Sequence, residues 1–367
     1  MNENRELYMD ALYIMFYGGV TMMAVVACIY LLFRRANAIA SEVKSPLHLR
    51  RWVGAFFALM AVGHVWWLLL SYYNILGDLW MSTAVAVTLD CLTLVPVMLA
   101  MQLVMLQDRR RPLWPLAVAM VPVAVILGVV IALRDEGILS WLRVYFLLLG
   151  IAFTLYMVYA VRQYGQWLRD NYADLEHKEL WQSLIAIFVC LLVMSFYMSG
   201  STVAGFDYIV QINDTVLLAL LLWRVETLQT LDAVAAQPVV AAEEPHAAPS
   251  PSFLSNIGQL LEQHCEATQL YLHHDISLVQ LAEAIGTNRS YLSQHFSRNG
   301  TTYNAYINGL RIQHFVRLYH EAVAAQRPFT AQQLAHECGF HSYSTFSAAF
   351  KQRMGQNVTT WMREASD

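Results

Sequence analysis

The chain has 367 residues, 57% of them hydrophobic and only 14% charged, with a formal net charge of −4 at neutral pH. An average soluble domain carries about a quarter charged residues, so a single continuous soluble core is excluded as an account of the whole chain. The length favours two domains, and the charge deficit falls almost wholly before residue 225.

Seven apolar stretches follow one another at about 8–33, 53–76, 83–106, 113–133, 141–161, 181–200 and 206–223. Each approaches the roughly 20 residues a helix needs to cross a bilayer. The first is too long for the core of a cleavable signal and follows an acidic-leaning segment, so it reads as a span. The seventh is the shortest and holds Asp207 and Asp214. Basic residues set the orientation. The connections after spans 1, 3, 5 and 7 carry twelve of them: Arg34, Arg35, Lys44, Arg50, Arg51, Arg109, Arg110, Arg111, Arg162, Arg169, Lys178 and Arg224. The N-terminal segment and the other connections carry Arg5 and Arg134 alone. The positive side of a membrane protein faces the cytoplasm. The expectation is a multi-pass protein of a bacterial cytoplasmic membrane, with the N-terminus outside, the C-terminus in the cytoplasm and the lipid bilayer as a partner.

Polar groups inside spans are costly and usually face the bundle interior. Here they are His64, Asn74, Asp90, Arg143, Asn213 and Asp214. Asp90 and Asp214 lie about 10–12 Å in from the outer ends of their spans at 1.5 Å per residue. His64, Asp90, Arg143 and Asp214 therefore form a candidate signal or ligand pocket open to the outside, with Arg143 balancing a carboxylate and a small molecule as the implied partner. Interhelical hydrogen-bond and ion-pair glue is a competing reading, and a proton or ion path a third. His64 and Asp90 have no third ligand nearby in sequence, so no metal site is expected. Aromatic residues near the span ends fit an interfacial belt. The five scattered cysteines read as reduced, small apolar side chains.

Residues 231–252 hold four prolines, small residues and no helical period. As a flexible chain the ends of this linker lie roughly 25 Å apart. It divides a domain at 1–230 from one at 253–367.

The C-terminal domain reads as two helix-turn-helix units joined by an amphipathic helix near 303–322. In the first, Ser277 caps a helix with Leu278, Leu281, Ala282 and Ile285 at helical spacing, Gly286 turns, and Asn288 caps a second helix burying Leu292 and Phe296. In the second, Thr330 and Gln333 have capping-box spacing, Gly339 turns, and Ser342 caps a helix burying Phe346 and Phe350. The linking helix presents Tyr306, Ile307, Leu310, Phe315 and Leu318 as its apolar side.

The segments LAEAIGTNRSYLSQHF, YINGLRI and GFHSYSTFSAAFKQRMG resemble the AraC/XylS family of transcription regulators over about the last 100 residues. The resemblance implies an all-α domain that places the second helix of each unit in a major groove, one helical turn apart. It implies that Ser290, Ser293 and Gln294 of the first reading helix face base edges, with Ser342, Tyr343, Ser344, Thr345 and Ser347 of the second. Arg289, Arg298, Lys351 and Arg353 flank these helices, with Lys351 expected to contact phosphate. The chain departs from the family where Ala348 replaces a common basic residue, where Val358 replaces a usual proline, and in the short stretch between Phe296 and Gly300.

No phosphate loop, kinase box, G-x-S-x-G or H-E-x-x-H occurs, so no enzyme and no cofactor are expected. The fold class expected is all-α: a bundle of about seven spans followed by a cytoplasmic tandem helix-turn-helix domain. The function expected is a membrane-embedded one-component regulator that senses through its spans and binds promoter DNA sequence-specifically. The alternative is a transporter-like protein with a cytoplasmic helix-turn-helix interaction module. Residues 253–367 carry eight basic and eight acidic side chains. Phosphate contacts supply much of DNA affinity, so a lone reader binds weakly and a homodimer on DNA is expected, with the signal changing how two copies pair rather than opening a latch on one.

Overall fold

Apolar runs of this length satisfy their backbone polar groups internally by coiling into helices, and helix is what the described runs form. The computed structural model describes residues 2–41, 43–176, 178–181, 184–185, 187–189, 206–231 and 251–365. Among the described residues the chain is all helix and turn, without strands; a lone antiparallel bridge joins Tyr172 and Ser277. It divides into two compact units. The first comprises Met1–Val161 and Leu180–Leu231; the second comprises Arg162–Glu179 and Asp232–Asp367.

The first unit holds α1 (Asn2–Phe33), α2 (Leu47–Trp67, extended by a π-helical turn Leu68–Tyr72), α3 (Leu79–Met105), α4 (Trp114–Leu133) and α6 (Phe206–Thr227). α5 (Leu139–Asn171) begins in it and ends in the second unit. Six described helices are long and apolar enough to cross a membrane: Ala11–Phe33, Leu47–Tyr72, Leu79–Met105, Trp114–Leu133, Leu139–Asn171 and Tyr208–Thr227. Most of the expected sixth stretch, 181–200, and most of the linker 231–252 lie outside the described residues. α2 packs on α1, α3 and α6, and α3 packs on α4. Cys91, Met120, Val123, Leu127 and Leu142 form a buried cluster between α3, α4 and the start of α5.

Two bounds differ from the hydropathy reading. The second stretch, expected at 53–76, begins at Leu47 and ends at Tyr72. It begins early because Arg50, which ends an apolar run by charge, is buried against Glu226 of α6 at 3.2 Å. It ends early because Asn74, expected inside the span, takes a left-handed turn (φ 48°) and accepts from the Ser82 hydroxyl at 3.0 Å. α5 runs ten residues past Val161, since a helix need not stop where its apolar face does.

The second unit continues with α7 (Pro251–Leu261), α8 (Leu278–Ala284), α9 (Arg289–Arg298), α10 (Tyr303–Ala324), α11 (Ala331–Glu337), α12 (Tyr343–Met354) and α13 (Val358–Glu364). The expected caps form. Ser277 and Gln280 make a full capping box, and Asn288, Thr330 and Ser342 each accept from a first-turn N–H. Thr330 lacks the return half of its box, because the Gln333 side chain accepts from the Thr330 hydroxyl instead of its backbone. Two cores result, one per unit. Leu281, Leu292 and Phe296 anchor the first with Ile307. Leu334, Phe346 and Phe350 anchor the second with Phe315. α10 contributes to both and so fixes the spacing of the two units. Gly339 has φ 87°, and a Cβ there would stand 2.6 Å from the Leu272 carbonyl oxygen. Only glycine fits that turn.

Candidate functional site

Each reading helix begins at a capped N-terminus, where the first turn points its side chains outward. On α9, Ser290 and Gln294 are exposed, while Arg289 and Ser293 are half-buried. On α12 and its cap, Tyr343 and Ser344 are exposed, and Ser342, Thr345 and Ser347 are half-buried. The Ser342 hydroxyl lies 2.9 Å from that of Ser344 and 3.0 Å from that of Thr345, a hydroxyl cluster with donors and acceptors to exchange. Arg298, Lys351 and Arg353 are exposed in or near the last turns of these helices.

Other cations of this unit are committed elsewhere. Arg311, on α10, is fully buried. Its guanidinium donates to the carbonyls of Tyr271 at 2.8 Å, His273 at 2.7 Å and His274 at 3.3 Å. Burial pushes its pKa down, opposed by Tyr303, Asp174 and Asp275. Arg317 pairs with Glu321 and Arg327 with Glu337. Counting charges overstates the field at the reading face, because Arg311 faces inward. Sequence reading missed this strut; the signal was an arginine at helical spacing with the core residues Ile307, Ile312 and Phe315.

Two reading positions touch a second piece of the same unit. The Arg289 Nε donates to Asn171 Oδ1 at 2.9 Å, and the Thr345 hydroxyl donates to Glu176 Oε2 at 3.1 Å.

In the first unit, the structure brings His64, Asp90 and Asp214 together. His64 Nδ1 lies 2.8 Å from the Met60 carbonyl oxygen, which only accepts, so this nitrogen carries a hydrogen. Nε2 faces Gln211 Oε1 at 3.2 Å and Asp214 Oδ2 at 3.8 Å. The Tyr17 hydroxyl donates to the His64 carbonyl at 2.8 Å. Asp90 accepts from the indole N–H of Trp66 at 3.1 Å and of Trp67 at 2.5 Å. A Cβ on Gly63 would lie 3.5 Å from Asp90 Oδ1, so the chain beside His64 backs onto this carboxylate. Arg143, expected to balance a carboxylate here, is exposed on α5; the indoles face Asp90 in its place. Among the described residues no group of three or more His, Cys, Asp or Glu could hold a metal ion. Cys28, Cys91, Cys265 and Cys338 are buried free thiols.

Two capped helix pairs on a shared spacer define a tandem helix-turn-helix domain. Residues 281–364 match the family model of the helix-turn-helix domain. The chain is also similar to uncharacterized HTH-type transcriptional regulators of Staphylococcus aureus, among them those of strains COL, MSSA476 and MRSA252. Each is 29% identical over 92 residues, which are 25% of this chain and 12% of the relative. The chain thus spans about an eighth of the length of these relatives. No solved structure matches it.

Proposed function

We propose that this chain is a membrane-embedded, one-component transcription regulator. One observation carries the reading. A tandem helix-turn-helix domain, with exposed Ser290, Gln294, Tyr343 and Ser344 on its second helices, shares one chain with six helices of membrane-crossing length and apolarity. The N-terminus lies outside a bacterial cytoplasmic membrane and the C-terminal unit in the cytoplasm, a reading supported by the twelve-to-two asymmetry of basic residues. The partner of the C-terminal unit is double-stranded DNA, bound by two copies. Arg289 and Lys351 contact phosphates. Ser290, Ser293 and Gln294 read one half-site, and Ser342, Tyr343, Ser344, Thr345 and Ser347 read the next. Direct contacts to base edges in the major groove provide the discrimination.

The signal enters at His64, Asp90 and Asp214. An imidazole facing Gln211 and Asp214, beside a carboxylate that accepts from two indole N–H groups, is a polar centre that a small polar ligand would perturb. Arg143 stands apart from this centre.

Genome-wide DNA occupancy of the full-length protein tests the function. Discrete sites sharing a two-part motif, lost in Gln294→Ala, are the expected result. Membrane abundance without any enriched site would overturn the reading.

A further inference from the structure

The second unit contains a stretch far from its helix-turn-helix sequence, Arg162–Glu179. This stretch is a built elbow. Tyr164 stacks on Trp167 at 5.9 Å between ring centroids, and Trp167 meets Tyr172 edge-on at 5.8 Å. The Tyr164 hydroxyl donates to the Lys178 carbonyl at 3.1 Å, which closes the turn after α5. The elbow is seated deeply. Ala173 is fully buried in the core of the first helix-turn-helix unit. Its carbonyl accepts from Asn304 at 2.6 Å and Asn308 at 3.2 Å, both on α10.

From that seat it reaches one residue on each reading helix. Asn171 holds Arg289, the first residue of α9, and Glu176 holds Thr345, in the first turn of α12. Those two N-terminal turns are the parts that enter a major groove in a helix-turn-helix complex. A carboxylate at Thr345 also sets a negative charge where the DNA backbone would approach, and like charges repel.

Resting on the DNA-binding reading above, we infer that the elbow, through Asn171 and Glu176, is an autoinhibitory latch that holds the first turn of each reading helix and must leave before DNA binds. The elbow is continuous with α5, so displacement of that helix is transmitted to it along the chain. A protein whose competent state is only fractionally populated shows an affinity reduced by that fraction. Release therefore raises affinity with no new DNA contact.

The test uses the full chain in lipid nanodiscs and a DNA duplex recovered from a random pool by the wild-type protein. Asn171→Ala combined with Glu176→Ala removes both side-chain contacts and leaves buried Ala173 in place. This variant should bind about tenfold more tightly than wild type, a shift within reach of two side-chain hydrogen bonds. The converse variant pairs Tyr172→Cys with Ser277→Cys. Their antiparallel bridge puts the two Cα atoms about 4.5–5.5 Å apart, within disulfide range. Its oxidised form should bind more weakly than its reduced form, with affinity restored by reductant. Wild-type affinity in the double variant, or equal affinity of the oxidised and reduced forms, would overturn the latch while leaving the DNA-binding reading intact. Failure of every form to bind DNA would overturn both.

Discussion

At the scale of single residues, the arginines and lysine of the C-terminal unit divide by depth. Arg311 is a strut: its guanidinium donates to three backbone carbonyls of the loop Leu270–Asp275, those of Tyr271, His273 and His274. Arg311→Met keeps the length and strands those carbonyls. Charge-assisted hydrogen bonds are worth about 1.5–3 kcal/mol each, so amide exchange of α8 and α10 in the full chain should accelerate at least tenfold. Unchanged protection would show that the strut is dispensable. Lys351 is exposed and serves the opposite end of the problem. Lys351→Ala should weaken binding to all sequences alike and lower the salt slope by about 1, as loss of one phosphate contact does. Gln294→Ala should instead cost about 1–3 kcal/mol at the specific site and leave nonspecific binding unchanged. Equal losses at both kinds of site in Gln294→Ala would remove it from the base-reading set. The two roles were not equally legible. Gln294 follows from its place after a cap and beside Leu292, whereas Arg311 looks in sequence like one more surface cation.

At the scale of elements, local chemistry was readable and long-range pairing was not. Ser277, Asn288, Thr330 and Ser342 cap helices because a cap needs only its own first turn, and all four accept from a first-turn N–H, although Thr330 lacks the return half of the box its spacing predicts. Gly339 was readable as a turn. That its missing Cβ also clears the Leu272 backbone, 67 positions earlier in sequence, was not. Gly339→Ala forces a strained φ and a backbone clash, and should cost at least about 2 kcal/mol, seen as faster exchange of α12. The start of α2 shows the same limit. Arg50 counts against a span until Glu226, 176 residues away, is placed beside it. Glu226 further accepts from Tyr30 and from the backbone N–H of Ala38, and Asn37 donates to the Glu226 carbonyl. Breaking a buried ion pair by removing one partner costs about 3–5 kcal/mol, while replacing both partners can be neutral. Glu226→Leu should therefore sharply lower resistance to detergent unfolding, and Arg50→Met added to it should restore most of the loss. A double variant no better than the single would show that the pair is not the source.

At the scale of the whole molecule, the sequence reading places signal transmission in the pairing of two copies. The latch proposed for the elbow of Asn171 and Glu176 departs from that expectation, because it acts within one chain. It was invisible in the sequence because its contacts join residues more than 100 positions apart. Of the four residues expected to share a pocket, His64, Asp90 and Asp214 lie near one another, and each stands out in sequence as a polar group inside an apolar run. Arg143 was misplaced because position along a span does not say which side of the helix faces inward. Asp90→Asn, at equal membrane abundance, should change the response of promoter output to stimulus; identical response curves would reduce the centre to packing.

The most direct measurement is selection of DNA from a random pool by the full-length chain held in lipid nanodiscs, run with wild type and with the Asn171→Ala, Glu176→Ala chain. The account predicts convergence on one motif made of two half-sites about 10 base pairs apart, recovered by both chains with the variant retaining more DNA. A pool that fails to converge with either chain would contradict the claim that this membrane-spanning chain reads DNA.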